Sequence, residues 1–387
     1  MAVALLIFWA STVLLAWVYV AYPLLARAVG ALRPVGATGA DRNDRPTLVS
    51  VGLAVHNGAA QVGPRIANIL GQQVPFDIEL IVASDGSTDD TTAVVRRLAA
   101  ADRRIRLLEL ARGGQAAAQT AVFAAALGDV VVLTDVETRF SPGCLAALVG
   151  PLADRRVGCV TGVLRWQYDE QTETASHESL YWRYEQTVRN WESRAGWLAA
   201  ATGAVLAVRR SLFQPVPAHA SLDQMLPLIA RAVDQLVVVE PAAIASDRGT
   251  SARDEQFRAR VRIATQGIEA NLRMARHILP WRQPGSWLAI WSHKLLRWAS
   301  PYLGLVALVG AVSLAAGGET PYALPVVLTG LVLLGGVAGY VAQSRGRPLP
   351  LIGLALTVIT VNVAFALAWL NVIASRRVRA WESQGIT

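Results

Sequence analysis

The apolar residues of this chain are concentrated at its two ends, and this segregation constrains the fold more than any other feature. Residues 1–26 contain no Asp, Glu, Lys, Arg or His, and a run of that length can cross a bilayer as a helix. Three further apolar blocks follow late in the chain, at about 300–316, 322–342 and 350–374. The roughly 270 residues between have mixed composition, enough for one large soluble domain. The sequence therefore predicts an anchor, a soluble domain and a membrane bundle.

The first apolar segment is expected to be a retained N-terminal transmembrane helix. It has no basic region before its apolar core, and Arg27 and Arg33 follow it where a signal peptide would have small residues at a cleavage site. Residues 27–46 are rich in Gly, Pro, Asp and Arg and are interpreted as a linker.

The formal net charge of +8 has two interpretations. A basic balance can indicate nucleic-acid binding. However, arginines flank the apolar segments: Arg27, Arg33, Arg42, Arg45, Arg345 and Arg347. This placement fits the excess of cations in cytoplasmic loops. We therefore expect a multi-pass protein of the inner or plasma membrane, with a cytoplasmic catalytic domain and no nucleic-acid partner. The two cysteines show no metal-ligand spacing and suit a reducing compartment.

Four spans would put both termini on the same side of the membrane. Arg376, Arg377 and Arg379 would then lie outside if the domain is cytoplasmic, against the same rule. Either one apolar block is interfacial or re-entrant, or the rule is broken here.

Four short runs rich in Val, Ile and Leu alternate with segments of helical spacing. The runs are Thr47–Val55, Ile78–Ala83, Ile105–Leu110 and Val130–Leu133. Short continuous apolar runs are typical of strands buried on both faces of a parallel sheet. The alternation predicts an α/β, doubly wound domain.

Acids follow two of these strands directly. Asp135 and Glu137 come after the fourth strand, and Asp85 ends the second. Ligands of open α/β sheets bind at the carboxyl ends of the strands. Two hard oxygen ligands could share a Mg²⁺ or Mn²⁺ that also holds a diphosphate, although a solvated acidic turn is the alternative. Asp85 could accept hydrogen bonds from a nucleoside, or could simply cap a helix or turn.

Three motifs occur in order at strand ends: V-H-N, V-A-S-D-G-S-T-D-D-T and L-T-D-V-E-T. Together they resemble the nucleotide-sugar-binding half of family 2 glycosyltransferases, which have the Rossmann-like GT-A fold and include cellulose, hyaluronan and chitin synthase-like enzymes. The resemblance implies a GT-A domain over residues 47–280. It implies nucleotide-sugar contacts for four residues: Val55, Asn57, Asp85 and Asp135. It also implies a Mg²⁺ or Mn²⁺ cofactor bound by Asp135 and Glu137. Glu137 stands where the family often has Asp, and its extra methylene changes the metal distance.

The second half of the domain supplies the remaining site predictions. In the resembled family, the region matching Thr202 and Gly203 borders the acceptor site. The position of Asp223 matches the general base, which takes the proton of the acceptor hydroxyl, although an acid that opens a helix is often only a cap. Leu222 replaces the acid that usually precedes the base.

A basic helix is predicted over 253–276. Its Arg258 and Arg262 either form a solvated stripe or lie near the leaving diphosphate. Polymer-making members of the family carry Q-x-x-R-W here, whereas Arg262 is followed by Ile263 and lacks the Gln. The difference argues against a processive synthase.

The remaining segments are assigned by composition. Tryptophans and cations in 281–299 predict an interfacial helix, 300–374 about three transmembrane helices, and 375–387 a C-terminal tail. The aromatic segment 173–198 either packs on the domain core, lines an acceptor groove or lies at the membrane surface.

These observations predict a membrane-bound, metal-dependent, inverting glycosyltransferase. Its donor would be a nucleotide-diphospho-sugar, expected to be a UDP-sugar. Its acceptor would be a lipid, a lipid-linked sugar or a growing glycan. The alternative is a non-catalytic membrane protein that retains the GT-A fold for binding or for assembly of a glycan-synthesis complex.

Overall fold

The computed structural model describes six stretches of the chain: residues 1–35, 46–167, 173–217, 220–248, 253–345 and 350–376. Half of the predicted linker and most of the predicted tail lie outside these residues, as do four of the arginines named above: Arg42, Arg45, Arg347 and Arg377. Arg379 is also outside them.

A mixed sheet of eight strands forms the centre of the described soluble part. In chain order the strands are β1 (Leu48–Val55), β2 (Asp77–Asp85), β3 (Ile105–Leu110), β4 (Val130–Asp135), β5 (Arg139–Phe140), β6 (Val157–Gln167), β7 (Leu206–Arg209) and β8 (Leu236–Arg248). Their spatial order is β3-β2-β1-β4-β7-β6-β8-β5. The first four strands are parallel, and β7 runs antiparallel to β4. The predicted α/β class is confirmed.

The described residues form thirteen α-helices. They are α1 (Ala2–Ala16), α2 (Tyr22–Leu32), α3 (Ala59–Leu70), α4 (Thr91–Ala101), α5 (Gln115–Ala125), α6 (Cys144–Val149), α7 (Glu173–Arg194), α8 (Leu222–Ala232), α9 (Arg253–Ala275), α10 (Pro284–Ala289), α11 (Ser300–Ala316), α12 (Ala323–Ser344) and α13 (Pro350–Ile373). Two π-helical segments, Trp17–Ala21 and Ile290–Leu296, continue α1 and α10.

The parallel strands are buried on both faces, as their apolar runs predict. Val49, Val51 and Leu53 of β1 have no exposed surface and pack into the core with α3. On the other face of the sheet, Val131 and Leu133 of β4 pack against α5 and α8. Because the two helical layers cover the faces, the polar ends of the strands are left at one edge of the sheet.

Within the stretches that the structure describes, three helical segments are long and apolar enough to cross a membrane: Ala2–Leu32, Thr320–Ala342 and Gly353–Ile373. A fourth candidate is the pair Pro284–Leu296 and Ser300–Ala316, which is bent by 65°. The N-terminal segment packs along α11, where Phe8 contacts Ala311 and Leu314. The predicted limits of the anchor, the interfacial helix and the bundle stay predictions.

A buried group of charged side chains joins α7 to the segment that follows α10. We call Glu185, Arg189, Glu192, His293, Lys294 and Arg297 the junction cluster; none is more than 8% exposed. Glu185 accepts from Lys294 Nζ at 2.7 Å and Arg297 Nη1 at 2.6 Å. The two ring nitrogens of His293 lie 3.1 Å from Glu185 Oε2 and 2.8 Å from Glu192 Oε1. The sequence interpretation placed these cations at a membrane surface, but their side chains instead point into the protein.

The cluster also reaches the N-terminal segment. The hydroxyl of Tyr22 on α2 donates to Glu192 Oε1 at 2.6 Å. Tyr22 packs with Val188 and with Trp191 of the aromatic segment predicted at 173–198. Tyr184 and Trp191 of α7 therefore pack against the N-terminal segment, whereas Trp182 lies beside Trp166 of β6.

Loss of the Glu185 carboxylate is expected to destabilise the protein strongly. Burial alone would raise the pKa of Glu185, but Arg297, Lys294, His293 and Arg189 outweigh it and hold the pKa well below its ordinary value. Glu185→Ala leaves buried cations unpaired, and we expect it to lower the free energy of unfolding by about 3–5 kcal/mol. Thermal unfolding of the detergent-purified protein measures this change.

Glu109 provides the contrasting variant. It pairs with Arg96 at 2.6 Å, but the two side chains are 54% and 62% exposed. Glu109→Ala should change the free energy of unfolding by less than about 1 kcal/mol. Equal losses for the two variants would contradict a special role for the junction cluster.

Candidate active site at the carboxyl ends of the strands

The carboxylate of Asp85 is buried at the end of β2 and holds the loop that precedes α5. Its Oδ1 accepts from the Gly113 N–H at 2.7 Å, and its Oδ2 accepts from the Gly114 N–H at 2.9 Å. Arg112 Nη1 donates to Oδ2 at 2.7 Å. Gly114 has φ +89°, a conformation that favours glycine. Asp85 therefore holds the loop 112–114 at the end of β2, and its contact with a nucleoside stays a prediction.

The turn after β1 is tied to the loop after β2. Asn57 has φ +50°, and its Oδ1 accepts from the Thr88 N–H at 2.8 Å. His56 Nδ1 lies 2.8 Å from the backbone oxygen of Asp85. Val55, which precedes them, has no exposed surface. The first two sequence motifs thus form one connected edge, as the resemblance implies.

Asp135 ends β4 and is linked to the loop that Asp85 holds. Gln115 Nε2 donates to Asp135 Oδ1 at 3.1 Å. Gln115 is the first residue of α5 and follows Gly114, which is bonded to Asp85. One short loop therefore connects the acid predicted for the nucleoside to the acid predicted for the metal. The sequence analysis did not identify Gln115.

Arg65 supports the end of β4 from within the core. Its side chain has no exposed surface. Its Nε donates to the Asp135 backbone oxygen at 3.2 Å, and its Nη2 donates to Thr134 Oγ1 at 2.6 Å. Burial lowers the pKa of Arg65 to about 9, with Arg139 contributing in the same direction. The positive charge of the guanidinium opposes the rise that burial causes in the pKa of Asp135. The side chain also fixes the strand end at which that acid lies.

The acids at this edge repel one another electrostatically. Burial raises the pKa of Asp135 from 3.8 to about 6, and the charges of Asp247 and Asp223 add to the rise. Burial also raises the pKa of Glu137, as does the charge of Asp135. Thr138 Oγ1 donates to Asp247 Oδ2 at 3.2 Å, which places Asp247 beside the D-x-E motif. The sequence analysis missed Asp247.

A divalent cation fits this set of donors. No group of three or more His, Cys, Asp or Glu side chains that could hold a metal occurs in the part of the chain that the structure describes. Mg²⁺ is commonly bound by one or two carboxylates together with substrate phosphates and water. Asp135 and Glu137 supply two hard oxygen donors, and the cation would relieve the repulsion that raises their pKa values.

The effect of Mn²⁺ on stability is therefore expected to depend on pH. Between about pH 4 and 6 the folded protein binds the Asp135 proton more tightly than the unfolded chain does, so metal-free stability falls as pH rises through this window. Mn²⁺ binds the ionised carboxylate, and it should raise the unfolding midpoint at about pH 7.5 far more than at about pH 5. Thermal unfolding with and without Mn²⁺ measures the difference. An equal shift at both pH values, or an unchanged shift in Asp135→Asn, would contradict the assignment.

Asp223 lies in the first turn of α8 and faces Gly203. A β-carbon placed on Gly203 would lie 2.9 Å from both Cβ and Oδ2 of Asp223, so the backbone passes against the acid. Ser221 Oγ donates to Asp223 Oδ1. The adjoining residue Thr202 donates its N–H to Thr161 Oγ1 at 2.9 Å. The structure thus brings together the predicted base and the predicted acceptor region.

The same short segment is bonded to β4. The hydroxyl of Thr134 donates to the Ala204 backbone oxygen at 2.8 Å, and Thr134 precedes Asp135. The 3₁₀ turn Gly203–Val205 therefore connects β4, which carries the predicted metal ligand Asp135, to the predicted base.

Arg258 and Arg262 lie on α9, where Arg258 is exposed and Arg262 is half-buried. In the described stretches neither side chain is bonded to the acids of the cleft. α9 packs against α8 and α13. The proximity of the two arginines to a leaving diphosphate stays a prediction.

A comparison with protein families agrees with the arrangement of motifs. The family model described as Glycosyl transferase family 2 matches residues 50–216. The match covers somewhat less than half of the chain and includes the three strand-end motifs. The resemblance predicted from the three strand-end motifs is confirmed. The family 2 match ends before Asp223, so the predicted base lies outside it.

The curated relatives match less than a third of this chain. The hyaluronan synthase of Pasteurella multocida is 29% identical over 118 residues, which are 30% of this chain and 12% of that protein. The N-acetylglucosaminyltransferase of Bradyrhizobium elkanii is 31% identical over 101 residues, 26% of this chain and 56% of that protein. This chain therefore spans only about an eighth of the length of the first relative.

One solved structure is similar over nearly the whole chain. It is the mannosyltransferase PcManGT of Pyrobaculum calidifontis in complex with GDP-Man and Mn²⁺. The TM-score is 0.70 at 22% identity, covering 96% of this chain and 99% of that one. At this identity the likeness establishes the fold, including the arrangement of the domain and the apolar helices.

Proposed function

We propose that this protein is a membrane-bound, inverting, metal-dependent glycosyltransferase. It transfers a sugar from a nucleotide-diphospho-sugar to a lipid, lipid-linked or growing-glycan acceptor on the cytoplasmic face of the cell membrane. One observation carries the proposal. The loop bonded to Asp85 donates to Asp135 through Gln115, and the charge of Asp223 acts on Asp135. These links support the proposal that the nucleoside, diphosphate and base positions form one site.

The residues of the chain have separate tasks in this reaction. A divalent cation held by Asp135 and Glu137 would neutralise the charge of the leaving diphosphate. Asp223 takes the proton of the acceptor hydroxyl as that oxygen forms a bond to the anomeric carbon. The bond from the anomeric carbon to the diphosphate oxygen breaks, and the nucleoside diphosphate leaves with the electron pair. Gly203 lets the acceptor approach the base, because its backbone carries no side chain there.

The donor is proposed to be a UDP-sugar. The buried Asp85 loop and the Asn57 turn form the nucleoside end of the cleft. The similar mannosyltransferase structure contains GDP-Man, so GDP-mannose is the competing donor. The two donors differ in their nucleobase. Both nucleobases present N–H groups from which a carboxylate can accept a hydrogen bond.

The acceptor is proposed to be held at the membrane because the base helix packs directly on the apolar part of the chain. Leu228 of α8, Ile268 of α9 and Phe365 of α13 share one buried core. A soluble acceptor would require no such connection between the base and helices that can span a bilayer.

The rival proposal is a non-catalytic protein that keeps the fold for binding or assembly. Two departures favour it: Glu137 for the shorter acid, and Leu222 for the acid before the base. Leu222 is fully buried in the core beside β7 and α5. The substitution therefore has a packing role that leaves Asp223 in place.

A screen of nucleotide-sugars tests the proposed function. Detergent-purified protein is titrated with UDP-glucose, UDP-N-acetylglucosamine and GDP-mannose, with and without Mn²⁺. We expect Mn²⁺-dependent binding of at least one donor, followed by slow release of the nucleoside diphosphate. The matched control is Asp129→Asn, an exposed acid before β4. Binding of no donor by the wild type would refute the proposal, and binding without turnover would favour the rival.

A further inference from the structure

We infer that Arg189 is a positioning residue. It connects the membrane part of the chain to the acceptor wall, by which we mean the Thr202–Gly203 segment beside Asp223. This inference rests on the proposed function. Arg189 lies on α7 and is 7% exposed. Its Nε donates to Glu185 Oε1 at 2.9 Å, while its Nη1 donates to Thr202 Oγ1 at 2.9 Å. One guanidinium therefore bonds both Glu185, which the cations of the junction cluster share, and Thr202, which precedes Gly203.

The Thr202 end of this connection bears directly on the base. Gly203 passes so close to Asp223 that an added β-carbon would lie 2.9 Å from its carboxylate oxygen. The turn that begins here is held on its other side by Thr134, which donates to the Ala204 oxygen. A shift of Thr202 would therefore move Gly203 relative to both Asp223 and β4.

The Glu185 end is set by the segment that follows α10. Lys294 and Arg297 bond Glu185 at 2.7 and 2.6 Å. This segment belongs to the bent helical pair that qualifies as a candidate span. Because all of these contacts are buried, a change in the position of that segment is transmitted to Arg189 with little screening by solvent.

An arginine suits this task better than another cation. Its guanidinium is planar and presents several N–H groups in a fixed fork, so it can bond two acceptors in different directions. A lysine at 189 could neutralise Glu185 but could not hold Thr202 in the same geometry. The two functions of the side chain, charge pairing and positioning, can therefore be separated by substitution.

The test is a double-mutant cycle on the full-length protein in detergent. Arg189→Met removes both bonds, and Thr202→Val removes only the hydroxyl acceptor and leaves the junction cluster intact. Donor turnover is measured as nucleoside diphosphate release with Mn²⁺ and a bacterial lipid extract as the source of acceptor. Each variant should lower kcat by roughly 10²-fold through misplacement of the acceptor wall, with donor affinity unchanged. The kcat of the double variant should fall no further, because each single variant already removes the same Arg189–Thr202 bond.

Two further variants separate positioning from stability. Arg189→Lys should restore the unfolding midpoint that Arg189→Met loses, yet its kcat should stay low. Arg194→Met, an exposed arginine on the same helix, should keep the wild-type kcat and midpoint.

The outcomes that overturn the inference differ from those that overturn the proposed function. Wild-type kcat in Thr202→Val, multiplicative losses in the cycle, or full rescue of kcat by Arg189→Lys would each refute the positioning role. A wild-type protein that binds and consumes none of the donors would refute the proposed function, and the inference with it.

Discussion

Asp223→Asn is expected to lower kcat for sugar transfer by roughly 10³-fold, within the range for loss of a general base. Asparagine has the same shape as aspartate and can still accept the hydrogen bond that Ser221 donates to Asp223. It cannot take the acceptor proton. Donor affinity should be retained, because the residues proposed to bind the nucleoside, Asp85 and Asn57, keep their own bonds to Gly113 and Thr88. Initial rates of nucleoside diphosphate release, measured beside donor titrations, separate the two effects.

Asp129→Asn is again the control, since Asp129 is exposed at the opposite end of β4. Wild-type turnover in Asp223→Asn would remove the base assignment and favour the non-catalytic alternative. A parallel loss of donor affinity would assign Asp223 to the donor site instead.

Asp135→Asn is expected to weaken Mn²⁺-dependent donor binding by roughly 10²-fold, as for loss of a metal-site group. The amide can still accept the hydrogen bond from Gln115, so the loop should stay in place. It cannot supply an ionised ligand. Calorimetric titration of donor at saturating Mn²⁺, and of Mn²⁺ alone, measures the loss.

Glu137→Asp is the informative companion to this variant. It restores the shorter acid that the resembled family often carries, and we expect Mn²⁺-dependent donor binding to persist. If Asp135→Asn bound donor as the wild type does, the D-x-E motif would be no metal site. If Glu137→Asp alone abolished binding, the longer side chain would be a requirement of this chain.

The sequence was sufficient for the parallel half of the sheet. Runs such as Val130–Leu133 are buried on both faces, and this local property is visible in consecutive residues. The acids at the strand ends were found for the same reason, because Asp85 and Asp135 follow their strands directly. The hydrogen bonds that these acids make were not predictable from the sequence. Gly113, for example, bonds Asp85 across a separation of 28 residues.

Arg65 was missed because its position favours an apolar residue. It lies on the buried face of α3 with Val62, Ile66 and Ile69, and hydrophobic patterning treats an isolated cation there as an exception. That exception was the available signal: a cation on an apolar helix face requires a buried partner. The partner, the end of β4, lies 69 residues later at Thr134.

The junction cluster shows the same limit more strongly. His293, Lys294 and Arg297 among tryptophans are typical of a membrane surface. Their carboxylate partners precede them by 101 to 112 residues. Nothing in the local composition of either segment indicates the other, because buried ion pairing between distant segments leaves no periodic pattern.

The junction cluster also bears on how the protein can be produced. While the chain emerges from the ribosome, Glu185 and Glu192 are made about a hundred residues before the cations that neutralise them. Until residues 293–297 are made, Arg189 on α7 is the one cation of the junction cluster available to Glu185 and Glu192, so these carboxylates stay largely hydrated. Expression of residues 50–216 without the later helices would leave Glu185 and Glu192 permanently without His293, Lys294 and Arg297. A truncated recombinant fragment should therefore aggregate or stay partly unfolded, whereas a full-length preparation in lipid allows the domain to close.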